Sequence, residues 1–401
     1  MEKRKGWRMS VAGIVCEFNP LHSGHAYLMA QLRQQGAEAL VCAMSGNFVQ
    51  RGEPALVNKL ARAEMAVDCG ADLVLELPTP WAMATAEIFA MGGVQLLQMA
   101  GCTHLAFGSE CGETAVLQRT AEVLLLPRLQ ADIRTELAAG VTYAAARQRA
   151  VEKYLGQSAD ALSRPNDTLA VEYLKACRRL SADMKPVAIR RVGAGHDGGA
   201  AAGFASASHI RRLLRQGGEA AYGYMPMQAA AILRREAAAG RVTDMRHIER
   251  AILARLRQMD EEEFACYDGG REGLYHRLSN AVQRCATLEE LLAAAKTKRY
   301  TAARLRRLVL SAWLGLEKAP EAVPYARVLA ANGTGRAVLR KMKDRGCPVL
   351  TKAADVAALG TEAETLLRRE AARTDLYTLA YRLLAQAKPG GDWRLTPVIR
   401  D

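Results

Sequence analysis

The chain has 401 residues, half of them hydrophobic, enough for two or three domains with a sizeable core. Lysine and arginine outnumber the acids 55 to 42, a formal net charge of +13. No run of about 18 apolar residues is present, so no membrane span is expected, and nine cysteines without any Cys-x-x-Cys argue against a disulfide framework and a zinc ribbon. Residues 1–10 are basic but lack the apolar core of a signal peptide, so a reducing cytoplasm is the expected setting. The basic excess is uneven: residues 231–401 hold 31 basic and 21 acidic side chains, against 24 and 21 in residues 1–230. A clustered basic surface favours a polyanion, nucleic acid first; a soluble basic protein without such a partner is the competing reading.

Residues 11–15 are an apolar run of strand length. Asn19-Pro20 is a turn dipeptide, and helical spacing resumes at Gly24 and runs through Leu32. His22 and His25 therefore stand three apart at a helix start, where free backbone N–H groups suit a phosphate. Imidazoles placed there can hydrogen-bond to the charge that develops when an α-phosphate is attacked. Gly24 permits close approach of a nucleotide.

Residues 39–44 form a second expected strand, ended by Ser45-Gly46-Asn47, and residues 48–55 a loop. Residues 57–68 have helical spacing, with Lys59 and Arg62 on one face. A third strand spans 72–77, stopped by Pro78 and Pro80, and a long helix spans 81–99. Residues 104–107 are a fourth strand, ended by Gly108-Ser109-Glu110. Alternating strands and helices predict a parallel sheet covered on both faces, with ligands bound beyond the strands' carboxyl ends. No Walker loop and no Gly-x-Gly-x-x-Gly follows a strand.

Residues 113–155 read as solvated helices. Arg164-Pro165-Asn166-Asp167 breaks the chain, and Asn166 or Asp167 suits the cap of the helix that follows. A short strand at 186–192 carries Arg190 and Arg191. A glycine-rich loop at 193–203 holds His196 and Asp197. Ser206-Ala207-Ser208-His209-Ile210-Arg211 opens the next helix, where a serine serves as N-cap or the N-terminus holds phosphate. From residue 228 onward the pattern is nearly all helical. Two acid-poor basic runs occur there: Lys296, Lys298, Arg299, Arg304, Arg306 and Arg307, then Arg336, Arg340, Lys341, Lys343 and Arg345. These runs suit phosphate contacts as well as solvated helix faces, and Tyr300 and Tyr325 suit base stacking as well as core packing.

The unit His22-Ser23-Gly24-His25 resembles the HxGH motif of the nucleotidyltransferase superfamily, and Ser206 to Arg211 resembles its second phosphate-binding motif. Gly13 through His25 resembles the bacterial tRNA(Met) cytidine acetate ligase family more closely. So do Met44-Ser45-Gly46-Asn47-Phe48-Val49-Gln50-Arg51-Gly52-Glu53-Pro54-Ala55, residues 70–78, Phe107-Gly108-Ser109-Glu110, Pro165-Asn166-Asp167 and Ile189-Arg190-Arg191. In the second half, Glu272-Gly273-Leu274, residues 296–301 and Tyr325-Ala326-Arg327-Val328-Leu329 match in the same order. Leu21 stands where the family has an aromatic, and Ser23 where it has asparagine.

The resemblance implies an α/β, Rossmann-like HxGH nucleotidyltransferase domain with a parallel sheet (1–225), followed by a mostly α-helical, basic tRNA-binding domain (226–401). It implies activation of acetate by ATP to acetyl-adenylate, then acetylation of N4 of the wobble cytidine of elongator tRNA(Met), without acetyl-CoA. His22 and His25 are the implied catalytic residues. The implied ATP site comprises Ile14, Val15, Cys16, Glu17, Phe18, Asn19, Pro20, Leu21, His22, Ser23, Gly24, His25, Ala26 and Tyr27, with Gly108, Asn166, Arg190, Arg191, Ser206, Ser208 and Arg211. Lys59 and Arg62, with Arg51, are candidates for pyrophosphate or tRNA phosphates. Lys296, Lys298, Arg299, Arg304, Arg306, Arg307, Arg336, Arg340 and Lys341 are candidates for tRNA. The sequence offers no metal-ligand cluster, so any Mg²⁺ is expected on the ATP phosphates, and no obligatory protein partner is expected. The competing functions are a small-molecule adenylyltransferase of the same superfamily and a non-catalytic RNA-binding protein.

Overall fold

The computed structural model describes residues 11–192, 203–268, 273–298 and 300–401. In chain order the first half runs β1 (Val11–Cys16), α1 (Ser23–Gln34), β2 (Ala39–Ser45), β3 (Phe48–Val49), β4 (Glu53–Pro54), α2 (Lys59–Asp68), β5 (Leu73–Leu77), α3 (Thr79–Ala82), α4 (Ala86–Met99) and β6 (His104–Ser109). Helices α5 (Thr114–Leu124), α6 (Leu129–Ala138), α7 (Tyr143–Leu155) and α8 (Pro165–Arg179) follow, then β7 (Lys185–Arg190) and α9 (Ala207–Arg215). The expected helix 81–99 is two helices, because the chain turns at residues 83–85 before α4. The expected loop 48–55 contains the small antiparallel hairpin β3–β4.

Strands β5, β2, β1, β6 and β7 lie side by side in that order and are parallel. Strands β2 and β5 are buried along their whole length, as continuous apolar runs covered on both faces must be. Alternate side chains divide the core. Val15, Val41, Leu75 and Phe107 face α4, α5 and α8; Ile14, Cys42, Met44 and Ala106 face α1, α2 and α10 (Met227–Ala238).

Helices α11 (Met245–Gln258), α12 (Glu261–Asp268), α13 (Leu274–Arg284), α14 (Leu288–Ala295) and α15 (Ala302–Leu314) build a separate helical cluster around Ile252, Phe264, Leu278 and Leu305. The helical reading holds there. Beyond it, the chain returns to the sheet: β8 (Ala326–Ala331) pairs antiparallel with β5, and β9 (Val349–Leu350) and β10 (Val398–Ile399) pair with β8. Between these strands lie α16 (Gly333–Asp344) and α17 (Thr361–Thr378). The cut at 225/226 therefore does not separate sheet from helices, since residues 326–399 complete the sheet begun by residues 11–77. Tyr325 is buried in the core at the start of β8, and Tyr300 is buried in the helical cluster. Packing, not base stacking, is the place of both rings.

Candidate active site

The turn from β1 to α1 is held from outside. Phe18 is buried with a left-handed φ of 48°, and the peptide bond Asn19–Pro20 is cis. Asn19 Oδ1 accepts the Leu56 N–H at 2.8 Å, so the turn is tied to the chain leading into α2. His22 is the N-cap of α1. Its Nδ1 accepts the Gly24 N–H at 3.1 Å, and His25 Nδ1 accepts the His22 N–H at 3.3 Å. Two imidazoles thus make a capping box, a task that usually falls to a hydroxyl and a carboxylate. Their rings stack with centroids 3.8 Å apart. A Cβ at Gly24 would lie 3.0 Å from His22 Cε1 and press on that ring.

Because both Nδ1 lone pairs accept, the hydrogen-bond pattern assigns the proton of each ring to Nε2. Burial and the charge of Arg191 push His22 down to about 3. Burial, His22 and Arg191 push His25 well below the usual histidine range. Both rings are therefore neutral donors at neutral pH.

A cleft of about 330 Å³ opens beyond the carboxyl ends of β1, β6 and β7, where open α/β sheets bind ligands. Ile14, Val15, Cys16, Glu17, His22, Gly24, His25, Tyr27, Gly108, Asn166, Arg190 and Arg191 line it. Phe18, Asn19, Pro20, Leu21, Ser23 and Ala26 do not; the first four are buried behind the turn and shape it. On the α1 side the wall includes Leu28, Ile189, Phe204 and Ala205, with the Tyr27 and Phe204 rings edge to face at 6.1 Å. On the opposite side it is Val15, Ala86, Phe89, Phe107, Leu169 and Tyr173. Arg190 and Arg191 are exposed, and neither pairs with a carboxylate among the described residues.

Gly108 and Asn166 are fixed by a reciprocal lock. The Glu110 carboxylate accepts the Asn166 and Asp167 N–H groups at 3.2 and 2.8 Å, and also the Asn166 Nδ2 donor. In return, the Asp167 carboxylate accepts the Glu110 and Cys111 N–H groups at 2.9 and 3.1 Å and the Ser109 hydroxyl. Asp167 is thus no cap of its own helix; Glu110 satisfies the α8 N-terminus from across the cleft's lip.

Several sequence candidates lie elsewhere. Ser206 caps α9 by accepting the His209 N–H, and Ser208 accepts from Arg51. Arg211 donates to Asn19 O at 2.7 Å and to Glu53 at 2.6 Å. None of the three lines the cleft; Arg211 is a strut between α9, the β1–α1 turn and β4. Lys59 and Arg62 are not surface cations. Lys59 Nζ lies 2.7 Å from Glu76 and 2.8 Å from Asp392, and Arg327 lies 3.0 Å from Asp392, all four buried. Arg62 is wholly buried and donates to the carbonyls of Glu17, Ser45, Gly46 and Val57. Both are spent on the fold, so neither meets a phosphate.

The two basic runs sit at opposite edges of the sheet. Arg306 Nε donates to Arg51 O and a guanidinium nitrogen of Arg307 to Gln50 O, each at 3.1 Å, and both loop residues line the cleft. Gly52, at φ +72°, packs so closely that a Cβ would lie 2.4 Å from the Arg307 backbone N. The Arg304 guanidinium stands over the Tyr300 ring. Lys296 and Lys298 are exposed beside them, and Arg299 lies outside the described residues, as do His196, Asp197 and Glu272. Helix α16 starts where Asn332 bonds Asp72, just before β5, and ends where Arg345 bonds Met99 O, just before β6. Its exposed Arg336, Arg340 and Lys341 therefore sit toward the amino edge, away from the cleft.

Sequence reasoning missed the aromatic wall. Phe107 stood in a quoted motif, but Phe89 and Tyr173 occupy helix positions that read as ordinary core. No group of three or more His, Cys, Asp or Glu that could hold a metal ion occurs among the described residues, and no helix among them is long and apolar enough to cross a membrane.

Comparison with known proteins agrees with this geometry. A family model described as HIGH Nucleotidyl Transferase matches residues 9–390. A tRNA(Met) cytidine acetate ligase of Acetivibrio thermocellus is 33% identical over 98% of this chain and 100% of its own length. One from Syntrophomonas wolfei is 34% identical over 97% and 99%. Crystal structures of Thermotoga maritima TmcAL, 29% identical over 98% of this chain and 99% of that one, superpose with TM-scores of 0.91 for an apo form and 0.89 for a form bound with alpha-thio ATP. With the HxGH turn, the cleft and the full-length correspondence in agreement, the chain belongs to the tRNA(Met) cytidine acetate ligase family of HIGH nucleotidyl transferases.

Proposed function

We propose that the protein activates acetate with ATP and transfers the acetyl group to N4 of the wobble cytidine of elongator tRNA(Met). The observation that carries this reading is the pair of neutral, stacked imidazoles at the α1 N-terminus, opening on a cleft edged by Arg190 and Arg191. An acetate oxygen bonds to the α-phosphorus as the bond to the pyrophosphate oxygen breaks. The Nε2–H groups of His22 and His25 donate to the charge built there, and the two guanidiniums take the triphosphate's charge. A Mg²⁺ carried on the ATP phosphates would neutralise part of that charge; the described residues supply no cluster of their own for it. In the second step the cytosine N4 attacks the acetyl carbonyl carbon, the C–O bond to AMP breaks, and one amine proton leaves to solvent. The mixed anhydride drives this step, so acetyl-CoA is not needed.

The wobble base must leave its stack to reach the cleft, as bases of RNA loops do. The α14–α15 segment, joined to the cleft through Gln50 and Arg51, is the basic surface best placed to guide the anticodon arm.

Mass spectrometry of bulk tRNA incubated with the protein, ATP and acetate tests the proposal. The expected result is one acetyl group on elongator tRNA(Met), absent without ATP. Substituting alanine at His22 or His25 is expected to lower turnover about 10²–10³-fold, as loss of one transition-state donor does, while tRNA binding persists. Acetylation that requires acetyl-CoA, or full turnover in these variants, contradicts the proposal.

A further inference from the structure

One end of the cleft is built unlike the rest. Phe89 of α4, Phe107 of β6 and Tyr173 of α8 meet there, with ring centroids 6.5 Å (Phe89–Tyr173) and 6.3 Å (Phe107–Tyr173) apart. Val15 and Ala86 fill the same wall, and every one of these residues lines the cleft. Tyr173 is 3% exposed; its hydroxyl bonds to no protein group among the described residues and opens on the cleft. A hydroxyl that is reached from the cleft and has no protein partner is free to bond a ligand there. Burial pushes the phenol far above its usual range, with the neighbouring Cys16 and Glu17 adding to the effect, so it stays protonated and can only donate to an anion.

The opposite end differs. There Gly24, Tyr27, Phe204 and Ala205 form a wall next to the exposed Val192. The histidines lie between the two ends, on the turn leaving β1. A nucleotide laid with its base on the α1 side and its α-phosphate at the histidines leaves the aromatic end for the attacking carboxylate.

Resting on the function proposed above, we infer that this end is the acyl pocket: the Tyr173 hydroxyl donates to the acetate carboxylate and turns one oxygen toward the α-phosphate, while Phe89 and Phe107 enclose the methyl group. The three rings close the space behind the methyl, so each added methylene of a longer acid meets an aromatic face. Tyr173 is a substrate-orienting and specificity-determining residue, and the only polar atom its side chain brings to that wall is the one the carboxylate needs.

Carboxylate-dependent ATP–pyrophosphate exchange with the full-length chain tests this, with acetate, propionate and butyrate as probes. For Tyr173→Phe the acetate KM is expected to rise about tenfold or more, the cost of losing a hydrogen bond to a charged group, with the ATP KM within about twofold of wild type. For Phe107→Ala the propionate-to-acetate ratio of kcat/KM is expected to rise about tenfold, the worth of roughly one methylene. Phe107→Leu, with a thermal melt beside it, replaces that variant if the alanine form fails to fold. A Tyr173→Phe enzyme with unchanged acetate KM, or with a raised ATP KM in its place, overturns the assignment; the second result would put the base at the aromatic end. Wild-type exchange driven by another short carboxylate but not by acetate would sink the acetate reading alone, and the pocket is then judged on that acid. No carboxylate-driven exchange at all overturns both.

Discussion

Histidine is the residue whose charge changes most easily near neutral pH, and this site takes that property away. His22 titrates at about 3, below the ordinary 6.5, because burial and Arg191 disfavour the imidazolium. The unfolded chain therefore binds a proton that the folded chain refuses. The contribution to stability is complete above pH 6.5 and is lost as pH falls from 6.5 toward 3, by about 1.4 kcal/mol per pH unit for a fully buried ring. Urea unfolding between pH 8 and pH 4 is expected to show this as a steeper fall for wild type than for His22→Asn; parallel curves would contradict it. The motif was legible in the sequence because its parts lie within a few residues: strand, turn, cap and both rings. Lys59 and Arg62 were not. Their spacing puts them on one helix face, but only the fold reveals that the face meets Glu76 and Asp392 rather than solvent.

At the scale of elements, the apolar runs marked β1, β2, β5 and β6, since a strand buried on both faces has no polar alternation to obscure it. The elements that escaped notice are held by distant partners. Strand β10 is two residues long, and its place depends on β8. The buried quartet Lys59, Arg327, Glu76 and Asp392 joins α2, β8 and β5 to residue 392 of the C-terminal segment, with two cations against two carboxylates. Lys59→Met leaves one carboxylate charge unbalanced inside the protein. The expected loss is about 3–5 kcal/mol of unfolding free energy, as for other broken buried pairs, read from urea midpoints. A loss under about 1 kcal/mol, the range of surface pairs, would show that the quartet is not closed to water.

Across the whole molecule, the surplus of positive charge in residues 231–401 does not form one surface. The α14–α15 run touches the loop that lines the cleft, and α16 lies along the other edge of the sheet. Charge reversal at Lys296 and Lys298 is expected to raise the tRNA KM about tenfold at moderate salt and to leave ATP–pyrophosphate exchange intact, because phosphate contacts add to binding and not to the first chemical step. The same reversal at Arg340 and Lys341 is expected to change the tRNA KM by less than about twofold. Equal effects from both pairs would mean that the tRNA wraps around to the amino edge. Composition could give the size of the surplus but not its division, because that depends on which way the chain turns after α15.

The return of β8 to the side of β5 also has a kinetic consequence. Until residues 326–331 have left the ribosome, β5 is an open sheet edge with unpaired N–H and C=O groups, and Lys59 lacks its partner at residue 392. The residues that line the cleft, 14–205, are thus made well before the strand that covers the β5 edge. From the synthesis of β5 until that of β8 the nascent chain carries an edge that chaperones, or other copies of itself, can capture.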